Sequence, residues 1–150
     1  MVQVLIDTSV LVGLINPRDV WHTPALALHD ALRTAGAELL YTDCVVTEAI
    51  SAAVRRLHEK GRGADVATLL DRAARQAPLE TSTWLLPDVP RLYSAVLDLI
   101  RTTSGAMNFN DALIALACRE RLISAIASFD TDFDAIAWLK RLHRPADVTP

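Results

Sequence analysis

The chain has 150 residues, the length of one domain, and its 51% hydrophobic and 22% charged composition with 5 glycines excludes a disordered or fibrous chain. A net charge of −3 argues against a general nucleic-acid coat, and no apolar stretch reaches a membrane span. Neither Cys44 nor Cys118 belongs to a CxxC pair, so the expectation is a single domain over residues 1–150, without a leader or linker, carrying buried thiols in the reducing cytoplasm.

Residues 2–6 (VQVLI) read as a buried strand and 8–15 as a short helix. A second helix spans 20–35, with Pro24 suited to a first turn. A strand follows at 38–42 (ELLYT), and Thr42 or Asp43 caps a helix from about 44 to 60 that stops at Gly61. Gly63 precedes a helix over 64–77, ended by Pro78. Residues 79–84 (LETSTW) read as a strand and 88–103 as a helix. Asn108 or Asn110 caps a helix to Leu122, and strands at 125–129 (AIASF) and 137–142 (AWLKRL) complete the pattern. Apolar strands separated by helices imply an α/β fold with a parallel sheet covered on both faces.

In open α/β folds the ligand sits beyond the carboxyl ends of the strands. Asp7 follows the first strand, and Asp130 follows strand 125–129. Asp111 lies in the first turn of the helix before that strand, and Glu48 lies early in the helix leaving strand 38–42. Taken singly, each has a structural explanation. Asp7 and Asp111 suit helix starts, where the macrodipole stabilises an acid by about 0.3–1 kcal/mol. Glu48 suits an exposed helix face, and Asp130 suits a turn in which Asp132 and Asp134 compete with it. Together they form a different pattern, because Asp7, Glu48 and Asp111 are each the sole charge in an apolar or neutral stretch. Four carboxylates in one cleft repel and raise one another's pKa values, a cost that a divalent cation removes. Oxygen ligands without His or Cys pairs favour Mg²⁺ or Mn²⁺ over Zn²⁺.

Rival chemistries lack an anchor. The chain has no P-loop, no GxGxxG after a strand and no GxSxG elbow. A DxD phosphatase needs an acid where Ser9 stands, and His22, His29, His58 and His143 lack ligand spacing. Trp21, Trp84 and Trp138 suit packing better than base stacking. Arg55, Arg56, Lys60, Arg62, Arg72 and Arg75 form one basic zone and Lys140, Arg141 and Arg144 another; each suits a solvated helix face, and together they are compatible with a polyanion held over an acidic centre.

The segments LIDTSVLVGLIN, TEAI, NFNDALIALA and ASFDTDFD, in that order, resemble a PIN-domain protein, and the compact size resembles the VapC toxins of toxin–antitoxin pairs. The resemblance runs over residues 2–140 and implies a three-layer α/β/α sandwich with a central parallel sheet. It also implies a Mg²⁺- or Mn²⁺-dependent endoribonuclease, dimeric and inhibited by a cognate VapB-like antitoxin. Asp7, Glu48 and Asp111 match the family's metal-site acids, and Asp130 matches the fourth, a role that Asp132 can share. Thr8 or Ser9 matches the hydroxyl position after the first acid, and Asn110 matches the residue before the third. The implied chemistry is in-line attack by water, leaving a 5′-phosphate and a 3′-hydroxyl, with Glu48 binding a second ion or acting as base. The alternatives are a non-catalytic RNA- or protein-binding module on the same fold, and a housekeeping RNA-processing nuclease.

Overall fold

The computed structural model describes residues 1–149. Its strands are β1 (Gln3–Ile6), β2 (Glu38–Leu40), β3 (Ala125–Ala127) and β4 (Lys140–Leu142), all parallel and in the order β2-β1-β3-β4. The helices are α1 (Thr8–Ile15), α2 (His22–Thr34), α3 (Asp43–Glu59), α4 (Val66–Gln76), α5 (Val89–Thr102) and α6 (Phe109–Glu120). Successive strand side chains point to opposite faces, yet Val4, Leu5, Ile6, Ala125, Ile126 and Ala127 are all buried. Both faces of the central pair β1–β3 are therefore covered, as the expected α/β class with a central parallel sheet requires. Around the sheet, α1 packs on α2, α3 and α4, while α5 packs on α6. No helix among the described residues is long and apolar enough to cross a membrane.

Local chemistry sets the helix ends that aim the site. Thr42 is the N-cap of α3, its hydroxyl accepting the Val45 N–H. At the other end Gly61 adopts φ +67°, and the N–H groups of Gly61 and Arg62 donate to the carbonyls of His58 and Leu57. That pairing satisfies the last carbonyls of α3 and requires a residue at ease with positive φ. Between the two candidate caps of α6 the structure selects Asn108, whose side chain accepts the Asp111 N–H at 2.9 Å. Both thiols are buried and unpaired, and burial pushes Cys118 up to about 12.

Two expected strands are corrected. Residues 79–84 form a 3₁₀ turn, Leu79–Thr81, and a single bridge between Thr83 and Thr42. The Thr81 and Ser82 hydroxyls both donate to the Pro78 carbonyl, a local alternative that competes with ladder formation. The stretch 137–142 is extended only over Lys140–Leu142, because a 3₁₀ turn at Thr131–Ala135 and the Leu139 N–H to Ile136 carbonyl bond occupy the preceding chain. β3 likewise stops at Ala127, so Ser128 and Phe129 separate it from Asp130.

α1 and α2 meet at Gly13. A Cβ there would lie 2.8 Å from Ala25 Cβ and 2.9 Å from the Trp21 carbonyl oxygen, closer than real Cβ contacts allow. The Gly13 carbonyl in turn lies 2.7 Å from His22 Nδ1. Gly13→Ala is therefore expected to overpack the α1–α2 seam and destabilise the protein by about 1–3 kcal/mol, read as a lower urea midpoint at unchanged m-value. An unchanged midpoint would show that the seam yields freely.

Candidate functional site

A parallel sheet delivers the residues that follow its strands to one edge. Here β1 delivers Asp7, and β3 delivers Ser128, Phe129 and Asp130. Glu48 comes from the second turn of α3 and Asp111 from the first turn of α6. All four acids line one cleft of about 330 Å³, together with Thr8, Ser9, Asp19, Trp21, Arg55, Arg56 and Asn108. Asp132 does not line it: this residue is exposed, and its backbone N–H donates to Asp130 Oδ1 at 2.9 Å. Asn110 reaches the group through Glu48, donating from Nδ2 to Oε2 at 3.3 Å.

Asp7 is 4% exposed and occupies the N-cap position of α1 without making a side-chain cap bond. Helix capping therefore does not explain it. Its Oδ2 instead accepts the Ser128 hydroxyl at 2.6 Å and the Ser9 hydroxyl at 3.2 Å. Ser128 Oγ also accepts the Asp130 N–H, and Ser9 Oγ accepts the Phe129 N–H, both at 3.0 Å. The two serines thus tie the ends of β1 and β3 into a single frame around one carboxylate.

Ser128 carries no signal in a single sequence beyond being a hydroxyl in the apolar run AIASF, and it was not among the expected site residues. Asp19 and Trp21 line the acidic cleft without a signal in the sequence, whereas Arg55 and Arg56 belong to the basic zone compatible with a polyanion over it. Arg56 Nη1 donates to Asp19 Oδ2 at 2.8 Å, whereas Arg55 makes no ion pair among the described residues.

Burial dominates the electrostatics. It raises the Asp7 carboxyl above its ordinary range, opposed by the bonds from Ser128, the Thr8 backbone and Ser9, with the Asp130 charge adding to the rise. Asp111 is pushed up to about 7, first by burial and then by the charges of Asp7, Asp130 and Glu48. Negative charge is thus concentrated at these acids, with Arg55 and Arg56 on the same cleft. Among the described residues no group of three or more His, Cys, Asp or Glu side chains is arranged to hold a metal ion. The donor set nonetheless fits Mg²⁺ or Mn²⁺, since a Mg²⁺ site commonly uses one or two carboxylates and completes its shell with water and substrate oxygens. No histidine or cysteine lines the cleft, which disfavours Zn²⁺.

The Asp111 shift has a consequence for stability. A folded-state pKa of about 7 against an ordinary 3.8 means that the folded, metal-free protein holds an extra proton between those values. The stability contributed by that proton is fully present below about pH 4 and is lost as pH rises through about 7. Metal-free wild type is therefore expected to lose Tm between pH 5 and pH 8 more steeply than Asp111→Asn, with Mg²⁺ restoring wild type at pH 8. Equal slopes in the two proteins would contradict this electrostatic account.

The sequence matches the PIN domain family over residues 4–139. No curated protein matches. Among solved structures, the fold is similar to the crystal structure of Mycobacterium tuberculosis VapC20, described as a sarcin–ricin loop cleaving toxin. The TM-score is 0.67 at 22% sequence identity, covering 91% of this chain and 96% of that one. The family match spans the β1, α3, α6 and β3 segments that carry all four cleft acids, and the chain belongs to the PIN domain family.

Proposed function

We propose that this protein is a Mg²⁺- or Mn²⁺-dependent endoribonuclease, a VapC-like toxin neutralised by a cognate VapB-like antitoxin. The observation that carries the proposal is the gathering of Asp7, Glu48, Asp111 and Asp130 in one cleft of a PIN-family chain, with Asp111 held at a pKa of about 7 by burial and its neighbours. A structural module has no use for such uncompensated charge. The similarity to a toxin that cleaves the sarcin–ricin loop supports RNA as the substrate class.

Asp7, Asp111 and Asp130 are the residues that would hold the ion, which when bound supplies Lewis-acid activation of the scissile phosphate and of a water nucleophile. Ser128 and Ser9 fix the Asp7 carboxylate by donating to its Oδ2, leaving Oδ1 for the cleft. Asn110 holds Glu48 by one oxygen, and the other, Oε1, is available to take the proton of the attacking water. Attack on phosphorus opposite the leaving 3′-oxygen breaks the P–O3′ bond and yields a 5′-phosphate and a 3′-hydroxyl. Arg55, which lines the cleft and has no carboxylate partner among the described residues, would meet a flanking phosphate. The proposal includes a homodimer in the cytoplasm, and the exposed side chains of Leu79, Trp84, Leu86 and Tyr93 offer unpartnered apolar surface for the dimer.

The test is cleavage of an RNA panel that includes tRNAs and a sarcin–ricin loop fragment, by antitoxin-free protein with Mg²⁺, Mn²⁺ or EDTA. Wild type is expected to cut only with metal, Asp7→Asn not at all, and the products are expected to carry 5′-phosphates. Cleavage by both proteins alike would refute the assignment of Asp7, and loss of both cleavage and metal binding in wild type would favour a non-catalytic module. Ser128→Ala keeps every carboxylate but removes the shorter bond to Asp7. It is expected to weaken metal affinity or activity about 10–100-fold, measured by Mn²⁺ titration and initial rates, with the fold intact by circular dichroism.

A further inference from the structure

Trp21 lies in the loop between α1 and α2, where helix-start packing would be its ordinary explanation. The structure shows more than packing. One face of the indole stacks on Phe129, with ring centroids 4.5 Å apart and planes 14° from parallel, yet Trp21 remains 44% exposed and lines the cleft of the four acids. An indole with one face covered and that much surface open, in a residue that lines the cleft, leaves aromatic surface available to a ligand there. Phe129, the ring beneath it, sits in the chain between Ser128, which donates to Asp7, and Asp130. The aromatic pair is therefore fixed relative to the acids by adjacent covalent bonds and by the Phe129 N–H to Ser9 Oγ bond.

The loop is braced as well. Asp19 Oδ1 accepts the Trp21 N–H at 2.9 Å, and Asp19 Oδ2 accepts Arg56 of α3 at 2.8 Å. A ring held in place before any ligand arrives loses little freedom on binding. The cleft thus offers acids that would hold a metal ion, the guanidinium of Arg55, which makes no ion pair among the described residues, and an open aromatic face. Those surfaces match the scissile phosphate, a neighbouring phosphate and a base of a single-stranded polynucleotide, whose unstacked bases expose the π-faces that aromatic side chains take up.

We propose that Trp21 is a stacking platform for an unpaired nucleobase beside the scissile phosphate, so that the cleft takes a nucleotide splayed out of any duplex. The proposal rests on the ribonuclease reading of the same cleft. Stacking reads a π-face and not a base edge, so Trp21 selects for single-stranded conformation more than for base identity.

The experiment uses the full chain carrying 5-fluorotryptophan, which gives Trp21, Trp84 and Trp138 separate ¹⁹F resonances, with Trp21 assigned from its loss in Trp21→Phe. The probe is a single-stranded RNA octamer of mixed sequence, titrated with Ca²⁺ in place of Mg²⁺ to hold back cleavage. Trp21 is expected to shift on titration while Trp138, bonded through Nε1 to the Ala115 carbonyl, does not. Trp21→Leu, which keeps an apolar side chain without a π-face, is expected to bind about tenfold more weakly, and Trp21→Phe to retain most of the affinity. An octamer with an abasic nucleotide at the stacked position is expected to bind wild type as weakly as the intact octamer binds Trp21→Leu. Equal affinity of wild type and Trp21→Leu, or equal losses in Trp21→Leu and Trp21→Phe with both folded by thermal melting, would overturn the platform. Metal-dependent cleavage abolished by Asp7→Asn reports separately on the ribonuclease reading, so each idea can fail alone.

Discussion

Keeping the Asp7 carboxylate buried at the carboxyl end of the central strand is the constraint around which this fold is arranged. An ionised carboxyl at that depth must find donors or a cation, because an unpaired buried charge costs several kcal/mol. The chain supplies two hydroxyls, one from the start of α1 and one from just past β3, and both are engaged at their other lone pairs by backbone N–H groups. Sheet register and site geometry are thereby one problem. β1 and β3 pair with Ile6 opposite Ala127, and the Asp7 N–H continues the ladder onto the Ala127 carbonyl before the acid turns into the cleft. A one-residue slip would bring Ala127 or Phe129 opposite the acid in place of Ser128.

Asp43 shows what a purely structural acid looks like in the same protein. It is as deeply buried as Asp7, but its carboxylate accepts the backbone N–H groups of Cys44, Leu85 and Leu86, each at 2.9 Å. Every one of those donors is neutral and directed, and two of them, Leu85 and Leu86, belong to the segment that Asp43 ties to α3. Asp111 has the opposite surroundings, with three like charges and a single opposing backbone bond. Burial alone does not separate the two kinds. What separates them is whether the surroundings stabilise the charge or raise its energy, and only the second arrangement leaves a favourable place for a cation.

The sequence announced the features whose causes are local. The Thr42 and Asn108 caps, the stop at Gly61 and the buried hydrophobic runs of β1 and β3 follow from backbone chemistry within a few residues. Asp7, Glu48 and Asp111 stand out in the sequence as isolated charges in neutral surroundings, Asp130 only as one of three acids in FDTDFD, and the cleft gathers all four, with Asp132 left at the surface. Segment 79–84 was misread because its β-propensity was outweighed by hydroxyl bonds to Pro78 and by the grip of Asp43 on the following N–H groups. The place of Ser128, Trp21 and Arg55 at the cleft is hidden in the sequence for another reason. A serine in a strand, a tryptophan before a helix and an arginine on a helix face are commonplace, and their meaning arises from partners far along the chain.

One of those partnerships bears on how the molecule comes into being. Ser128 and Asp7 are 121 residues apart, and β1 is flanked in the sheet by one strand made soon after it and another made only after α6. A nascent chain that has emerged only through α5 possesses Asp7, Ser9 and Glu48 but neither Asp111 nor the Ser128 hydroxyl that makes the shorter bond to Asp7. Loop closure over such separations is slow compared with helix formation, so the central strand waits for its second neighbour. Interrupted synthesis accordingly yields fragments with an incomplete acidic centre, because Asp111, Ser128 and Asp130 all lie beyond α5.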